Sequence, residues 1–411
     1  MGKPLTLLEA RSAVLASADA LTLVERVSLA DAHGRFLAEP VHATSPWPAT
    51  DRSAMDGFAL RAGAAGLTAG TTLPVVGESL AGRPYAGRLA AGATIRIMTG
   101  AVVPAGADAV VPVEQSSGFA GAEVTLLAPA VAGQNVRPMG SEITNGQQIL
   151  CAGRRLQAAE IGALAVLGCT HVPVRARVIV AIVATGDEVV PVDQEPLPHQ
   201  VRESNSWALA AQVIECGASP RRLGIAPDES TALRVMLQRG LDEADVLVTI
   251  GGISKGTHDL VHGTLAELGV RTVFHGIDLK PGKPTFFGTR AARSGARFVF
   301  GLPGNPASSF TVFDLVVRPL LLRLVGAEVG ERQAQVLAGG AAWVPNARLQ
   351  AVPSRLQRSP TGDLVSALAP PSPSGDPFGL LAGDHYALIP PQQRQAASVE
   401  ILGGSAGVVL P

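Results

Sequence analysis

Apolar positions first recur at helical spacing near the N-terminus. Leu7, Leu8, Ala10, Val14 and Leu15 follow Thr6, a capping residue, and predict a helix over 6–18. From Pro40 to about Ile149 the period shortens. Apolar runs at 73–76, 94–98, 109–113 and 124–127 are separated by Gly, Pro or Asn, which predicts a mostly β module. Residues 158–168 return to helical spacing.

From Arg177 the pattern alternates. Strands are predicted at 178–184, 221–225, 245–250, 271–274 and 297–300, with helices at 206–216, 230–240, 259–268 and 307–324. Such alternation implies right-handed crossovers and a largely parallel, three-layer sheet, with ligands at the carboxyl ends of its strands. After about Val325 short strands and turns resume, with a Pro/Ser/Gly loop at 370–377.

Composition narrows the field. The 411 residues predict two to four domains, and 33 basic against 34 acidic residues argue against a general nucleic-acid or polybasic membrane-surface binder. With 47% hydrophobic and 16% charged residues, disorder is not expected. No apolar run approaches the ~18 residues of a membrane span. Cys151, Cys169 and Cys216 are odd in number and widely spaced, which suits a reducing, cytoplasmic setting.

Four predicted strand ends carry unusual residues. Asp187 and Glu188 follow the first, and adjacent carboxylates there suit either Mg²⁺ or a turn cap. The run GGISKGTHD (251–259) supplies Gly251, Gly252 and Ser254 for close approach to a phosphate, although its spacing is not a Walker A loop and the chain contains no G-x-G. His258 and His262 lie four apart in HDLVH, but Asp259 replaces the Glu base of a zincin, so Asp259 reads as a Mg²⁺ ligand or helix cap. In KPGKP (280–284), Lys280 and Lys283 are two of only four lysines in the chain, the other 29 basic residues being Arg. Compact ammonium groups suit a small tetrahedral oxyanion. In GLPGNPASSF (301–310), Pro303, Asn305 and Pro306 form either an anion-favouring helix start or a rigid turn. The loops together point to a phosphate-containing ligand with a divalent cation. Asp56, before Gly57 in the β module, reads from local chemistry as a turn residue.

Eight motifs in order, SAMDGFA, RIMTGAVVPAGADAVV, ATGDE, ESNSWAL, LGIAPD, GGISKGTHD, KPGKPTFFG and GLPGNPASSF, resemble the molybdopterin molybdenumtransferase family, related to the C-terminal part of gephyrin. The resemblance runs from about residue 5 to 410 and is weakest after residue 326. It implies a multidomain α/β plus β fold. An elongated linker domain would comprise 1–45 with 147–176, an inserted β-rich domain 46–146, a three-layer αβα molybdopterin-binding domain 177–325, and a C-terminal β-barrel 326–411.

The resemblance also implies a homodimer in which the β-rich domain of one subunit faces the α/β domain of the other. The implied reaction inserts molybdate into adenylylated molybdopterin and cleaves the phosphate anhydride to release AMP, with Mg²⁺ assisting. Lys280 and Lys283 match the molybdate-holding lysines, with Pro303 to Pro306 shaping that pocket. Asp187, Glu188 and Asp259 match metal and phosphate positions, and Asp56, Thr99 and Asp228 match residues required for activity. Transient partners would be the molybdopterin adenylyltransferase and recipient molybdoenzymes. Departures from the family pattern are Glu203 and Glu142 in place of Asp, and Asp376 where Ser is usual. Two other readings differ in class: an adenylyltransferase or nucleotide pyrophosphatase on the same α/β domain, and a non-catalytic pterin-binding scaffold.

Overall fold

In the computed structural model, residues 3–253, 260–292, 295–327, 333–339, 345–393 and 398–403 are described. The chain divides into two compact units. One comprises Met1–Glu39, Ala152–Ile161 and Thr170–Pro411, the other Pro40–Cys151 and Gly162–Cys169. No helix among the described residues is long and apolar enough to cross a membrane.

The predicted first helix is α1 (Leu7–Ala16), and its start is a capping box. The Thr6 hydroxyl accepts from the Glu9 N–H at 3.2 Å while the Glu9 carboxylate accepts from the Thr6 N–H at 2.8 Å. Its buried stripe, Leu7, Ala10, Arg11 and Val14, is narrower than the spacing predicted, for Leu8 stays exposed. Strand β1 (Val24–Ser28) follows.

The β-rich unit carries a five-stranded sheet built from β2 (Gly57–Leu60), β3 (Thr72–Ser79), β4 (Thr94–Ile97), β5 (Ala109–Pro112) and β6 (Glu123–Thr125), in the order β5-β2-β4-β3-β6. Alternate residues point to opposite faces of a strand. Phe58 and Leu60 therefore join Val111, Val124 and Leu126 on one side, while Ala59 joins Ile95, Ile97 and Val110 on the other. Both faces are covered, which explains why 57–60 and 109–112 read as continuous apolar runs.

Helix α2 (Ala158–Val166) precedes β7 (His171–Arg175), which pairs antiparallel with β1. The α/β region then runs β8 (Ile179–Thr185), α3 (Asn205–Glu215), β9 (Ser219–Ala226), α4 (Ser230–Glu243), β10 (Val246–Ile250), α5 (Leu260–Glu267), β11 (Arg271–His275), β12 (Leu279–Lys280), β13 (Phe286–Ala292) and β14 (Gly295–Leu302). The sheet order is β9-β8-β10-β14-β13-β11. Its first four strands are parallel as predicted, while β13 pairs antiparallel with both β14 and β11. Strand β13 is absent from the sequence reading, because Phe286 and Phe287 follow the KPGKP turn and precede Gly288. Val180, Ile182 and Val248 face Leu209, Val213 and Phe313, and Ala181, Val183 and Leu247 face Leu237 and Val261. Burial of each such Val, Ile or Leu contributes about 1.5–3 kcal/mol.

The helix predicted over 307–324 is interrupted. It comprises α6 (Pro306–Val312), a π-helical turn at Phe313–Val317 and α7 (Arg318–Leu324). Beyond it lie β15 (Gln333–Gly339), β16 (Leu349–Arg358), β17 (Leu364–Leu368), β18 (His385–Ile389) and β19 (Ser398–Gly403). Their pairing returns on itself: β16 with β17, β17 with β15, β15 with β19, β19 with β18, and β18 with β16. Strand β12 adds parallel to β16, setting Lys280 opposite Gln350. The three cysteines are free, and burial pushes the Cys216 thiol up to about 12, which removes it from thiolate chemistry.

Candidate active site

The carboxyl ends of β8, β10 and β14 lie side by side. Thr185 at the end of β8 donates its hydroxyl to the Ile250 carbonyl at 3.0 Å, and Gly251 donates its N–H to the Leu302 carbonyl at 2.9 Å. Gly251 and Gly252 have φ of +84° and +64°, and a Cβ on Gly251 would sit 2.9 Å from the Thr185 hydroxyl. Only glycine allows both this backbone and this approach. Ser254, Lys255, His258 and Asp259 lie outside the described residues. His262 stacks on His275 with ring centroids 5.3 Å apart and meets Phe286 edge-on.

Beside these strand ends opens a cavity of about 580 Å³. One wall is the KPGKP turn with Pro303, Asn305, Ser308 and Thr311, and the other is Arg348 to Pro353 of the C-terminal sheet, closed by the loop from Leu368 to Asp376. The turn is stiff. Thr285 donates its hydroxyl to the Gly282 carbonyl at 2.6 Å, Ile277 donates to Lys283 at 3.0 Å, and a Cβ on Gly282 would overlap Val312. Lys280 and Lys283 are exposed at this turn. Arg348 joins them, donating Nη1 to the Leu279 carbonyl at 3.0 Å. Among the described residues the cavity thus gathers three cations against one carboxylate, Asp376. That carboxyl is held below its usual range by the Ser372 hydroxyl at 2.6 Å and the Phe378 N–H at 2.9 Å. The excess positive charge suits a multiply charged anion.

The anion-favouring helix start expected at Pro306 is not free. Ala307 donates its N–H to the Ser374 carbonyl at 3.1 Å, and the N–H groups of Ser308 and Ser309 both reach the Asn305 carbonyl at 3.0 Å. Asn305 donates its amide to the Ser374 hydroxyl at 2.9 Å, so it latches the 370–377 loop to this turn. Pro303 and Asn305 line the cavity, whereas Pro306, Gly251 and Gly252 are not among its lining residues.

The carboxylates expected for a metal follow the β8 end and are not among the residues lining the cavity. Asp187 accepts from the Asp228 N–H at 3.0 Å through one oxygen, which is the turn-capping alternative, and among the described residues its second oxygen has no bond of this kind. The Glu188 carboxylate folds over Gly186, where a Cβ would overlap it. Asp187, Glu188 and Asp228 are all exposed. Among the described residues no three His, Cys, Asp or Glu side chains are grouped to hold a metal. Glu203 is buried, accepting from the N–H and hydroxyl of Ser206 at 2.7 and 2.5 Å, with the Arg222 guanidinium 3.7 Å away. The longer side chain is accommodated as a helix-start cap.

In the β-rich unit, Asp56 and Thr99 are brought together across 43 residues. One Asp56 oxygen accepts from both the N–H and the hydroxyl of Thr99, at 2.6 and 2.7 Å. These bonds, the backbone one foremost, hold the Asp56 carboxyl below the usual carboxylate range. Glu142 pairs with Arg137. Local sequence gave Asp56 a turn role, and the structure adds its partner. The residues that sequence reasoning missed are Ser308, Thr311, Arg348 and Gln350. Ser308 stands in GLPGNPASSF, where it reads only as helix-start chemistry, the other three stand in no distinctive local motif, and it is the β12–β16 pairing that carries Arg348 and Gln350 to the cavity.

Residues 5–168 match the family profile described as the MoeA N-terminal region (domain I and II), and residues 181–323 match that of a probable molybdopterin binding domain. The chain is 38% identical over 309 residues to the molybdopterin molybdenumtransferase of Nostoc sp., across 74% of this chain and 70% of that protein. It is 32% identical over 322 residues to the protein of that name from Haemophilus influenzae, across 78% of each. The crystal structure of the molybdopterin biosynthesis moeA protein from Pyrococcus horikoshii OT3 superposes with a TM-score of 0.82 at 27% identity, covering 98% of this chain and 100% of that one.

Proposed function

The chain belongs to the molybdopterin molybdenumtransferase family of enzymes, which serve molybdenum insertion in cofactor biosynthesis, and from that premise we propose that the KPGKP cavity is where it takes molybdate. The carrying observation is the grouping of Lys280, Lys283 and Arg348 around one cavity. Lys280 and Lys283 hold the oxyanion as compact, hydrated cations. The pterin substrate arrives adenylylated: water cleaves its phosphate anhydride to give AMP and the pterin phosphate, and each bond from molybdenum to a dithiolene sulfur forms as an oxo oxygen of molybdate leaves as water, taking the thiol proton and one from solvent.

Magnesium is implied by the family resemblance, and the donors present fit it in part. Asp187 and Glu188 offer hard carboxylate oxygens at a strand end, and Mg²⁺ commonly takes one or two carboxylates with substrate phosphates and water. Once bound, the ion would supply charge neutralisation at the phosphate anhydride. Asp187 keeps its oxygen on the Asp228 N–H and so fixes the β8 and β9 ends for that role. We extend the proposal to a homodimer, supported by the exposed Asp56–Thr99 pair, which suits a surface that another copy would use.

The test is AMP release from adenylylated molybdopterin with Mg²⁺, with and without molybdate. Molybdate-dependent release with formation of active cofactor is expected. Release indifferent to molybdate would favour a pyrophosphatase, and tight binding without turnover a scaffold. In Lys283→Ala the molybdate requirement should rise about tenfold or more, as for a lost charge-assisted bond, while binding of the adenylylated pterin persists.

A further inference from the structure

The cavity is far larger than the ion assigned to it. Its volume of about 580 Å³ falls in the range of roughly 300–1,000 Å³ that takes a whole small molecule, whereas a single tetrahedral oxyanion fills only a fraction of it. Besides the cations, the lining includes Pro353, Leu368, Pro370, Pro371 and Leu380, which offer flat or aliphatic apolar surface. Asp376 is the one carboxylate among the described lining residues.

That carboxylate does not serve the oxyanion. Its oxygens accept from the Ser372 hydroxyl at 2.6 Å and the Phe378 N–H at 2.9 Å, bonds that hold the carboxyl below its usual range and keep it ionised at neutral pH. An ionised carboxylate only accepts hydrogen bonds, as does an ionised oxyanion, so the two repel. Nor does it neutralise the cations. Among the described residues no ion pair joins Asp376 to Lys280, Lys283 or Arg348. Its two loop bonds use one lone pair on each oxygen and leave another on each. Capping the Phe378 N–H needs only a neutral acceptor, and the family usually has serine here.

The carboxylate and the lysines are both tied to α6. The Ser374 carbonyl accepts from the Ala307 N–H at 3.1 Å and its hydroxyl from the Asn305 amide at 2.9 Å, which fastens the Asp376 loop to the start of that helix. The lysine turn packs on the same helix where Gly282 meets Val312. Their separation is therefore set by a helix and not by two independent loops.

We propose that Asp376 is a substrate-binding residue that receives the amino-pyrimidine edge of the pterin, while Lys280 and Lys283 hold the oxyanion destined for its dithiolene. This rests on the reading of the cavity as the molybdate site. A pterin presents two donors side by side, the 2-amino group and N3–H, and a carboxylate accepts such a pair at once, as it accepts a guanidinium. Adenine sets its amino group beside a ring acceptor, which a carboxylate repels. The cavity thus takes the pterin half of the adenylylated substrate and not the nucleotide half.

Asp376→Asn keeps the side-chain shape, still caps the Phe378 N–H and can exchange roles with Ser372, but it offers one donor where the carboxylate offers only acceptors. The concentration of adenylylated pterin for half-maximal AMP release should rise about tenfold or more, as for a lost hydrogen bond to a charged group, with the molybdate requirement within about twofold. Free pterin should inhibit this release about tenfold more strongly than lumazine, in which an oxo group replaces the 2-amino donor. In Asp376→Asn the two should inhibit within about threefold of each other.

A residue that only shapes the loop would leave the preference for pterin over lumazine intact in Asp376→Asn, and that outcome overturns the proposal. So does equal inhibition by the two, or none by either, in the wild-type protein. A molybdate requirement that shifts in place of the pterin requirement also overturns it. Lys283→Ala separates the two failures. If it leaves the molybdate requirement unchanged, the oxyanion reading falls. If it raises that requirement while Asp376→Asn leaves the pterin requirement untouched, only the pterin assignment falls.

Discussion

Gly282 shows how much one missing methyl decides. Its φ is +119°, and a Cβ would overlap Val312 of α6. Gly282→Ala is expected to cost about 1–3 kcal/mol through backbone strain and overpacking. Denaturant unfolding would measure this, and an unchanged midpoint would mean that the turn is looser than drawn. Asp56 makes a different case. Its carboxyl is depressed by Thr99, so the bond's contribution is present above the ordinary carboxylate value of about 3.9. It is lost only as pH falls through the lowered folded value. A carboxyl ¹³C titration of Asp56 should have a lower midpoint in the native protein than in Thr99→Val. Equal midpoints would remove the hydroxyl's role and leave the shift to the Thr99 N–H. Asp56 before Gly57 reads as any turn residue, and no local rule names a partner 43 positions away. Lys280 and Lys283 were legible because lysine is so scarce in this chain.

At the scale of elements, sequence period reported most of what packs. The continuous apolar runs became buried strands, and Thr6 with Glu9 became a capping box. Thr6→Ala should lower stability by about 1 kcal/mol in chemical unfolding. A change below a few tenths would mean that the first turn frays in the native state. What stayed hidden has physical reasons. Strand β13 has Pro284 before it and Gly288 within it, and its antiparallel pairing with β14 depends on residues 295–302 further along the chain. The break between α6 and α7 has a local mark in Pro319, which has no N–H to donate to the preceding turn, while the π turn itself accommodates Asp314 against a tyrosine 72 residues on.

Across the whole molecule, charge is balanced while the cavity is not. The net charge is −1, yet among the described residues three cations and one carboxylate line the cavity. Attraction of the oxyanion is therefore short in range, acting within a Debye length of about 8 Å at physiological salt. The molybdate requirement should rise with ionic strength in the wild-type protein and less steeply in Lys283→Ala, and parallel salt curves would argue that the attraction lies elsewhere. The alternation of strands and helices made the carboxyl-edge site legible as a place. Its second wall was not legible, because a two-residue strand at Leu279–Lys280 joins the sheet at Leu349–Gln350 across some seventy residues.

The near-absence of lysine has a practical corollary in covalent chemistry. Reagents that acylate primary amines find only four lysine side chains on this protein, and two of them, Lys280 and Lys283, stand at one cavity. An acylating ester used sparingly thus becomes a nearly site-directed label, readable by peptide mass, and any occupant that neutralises those ammoniums should announce itself by leaving them unacylated.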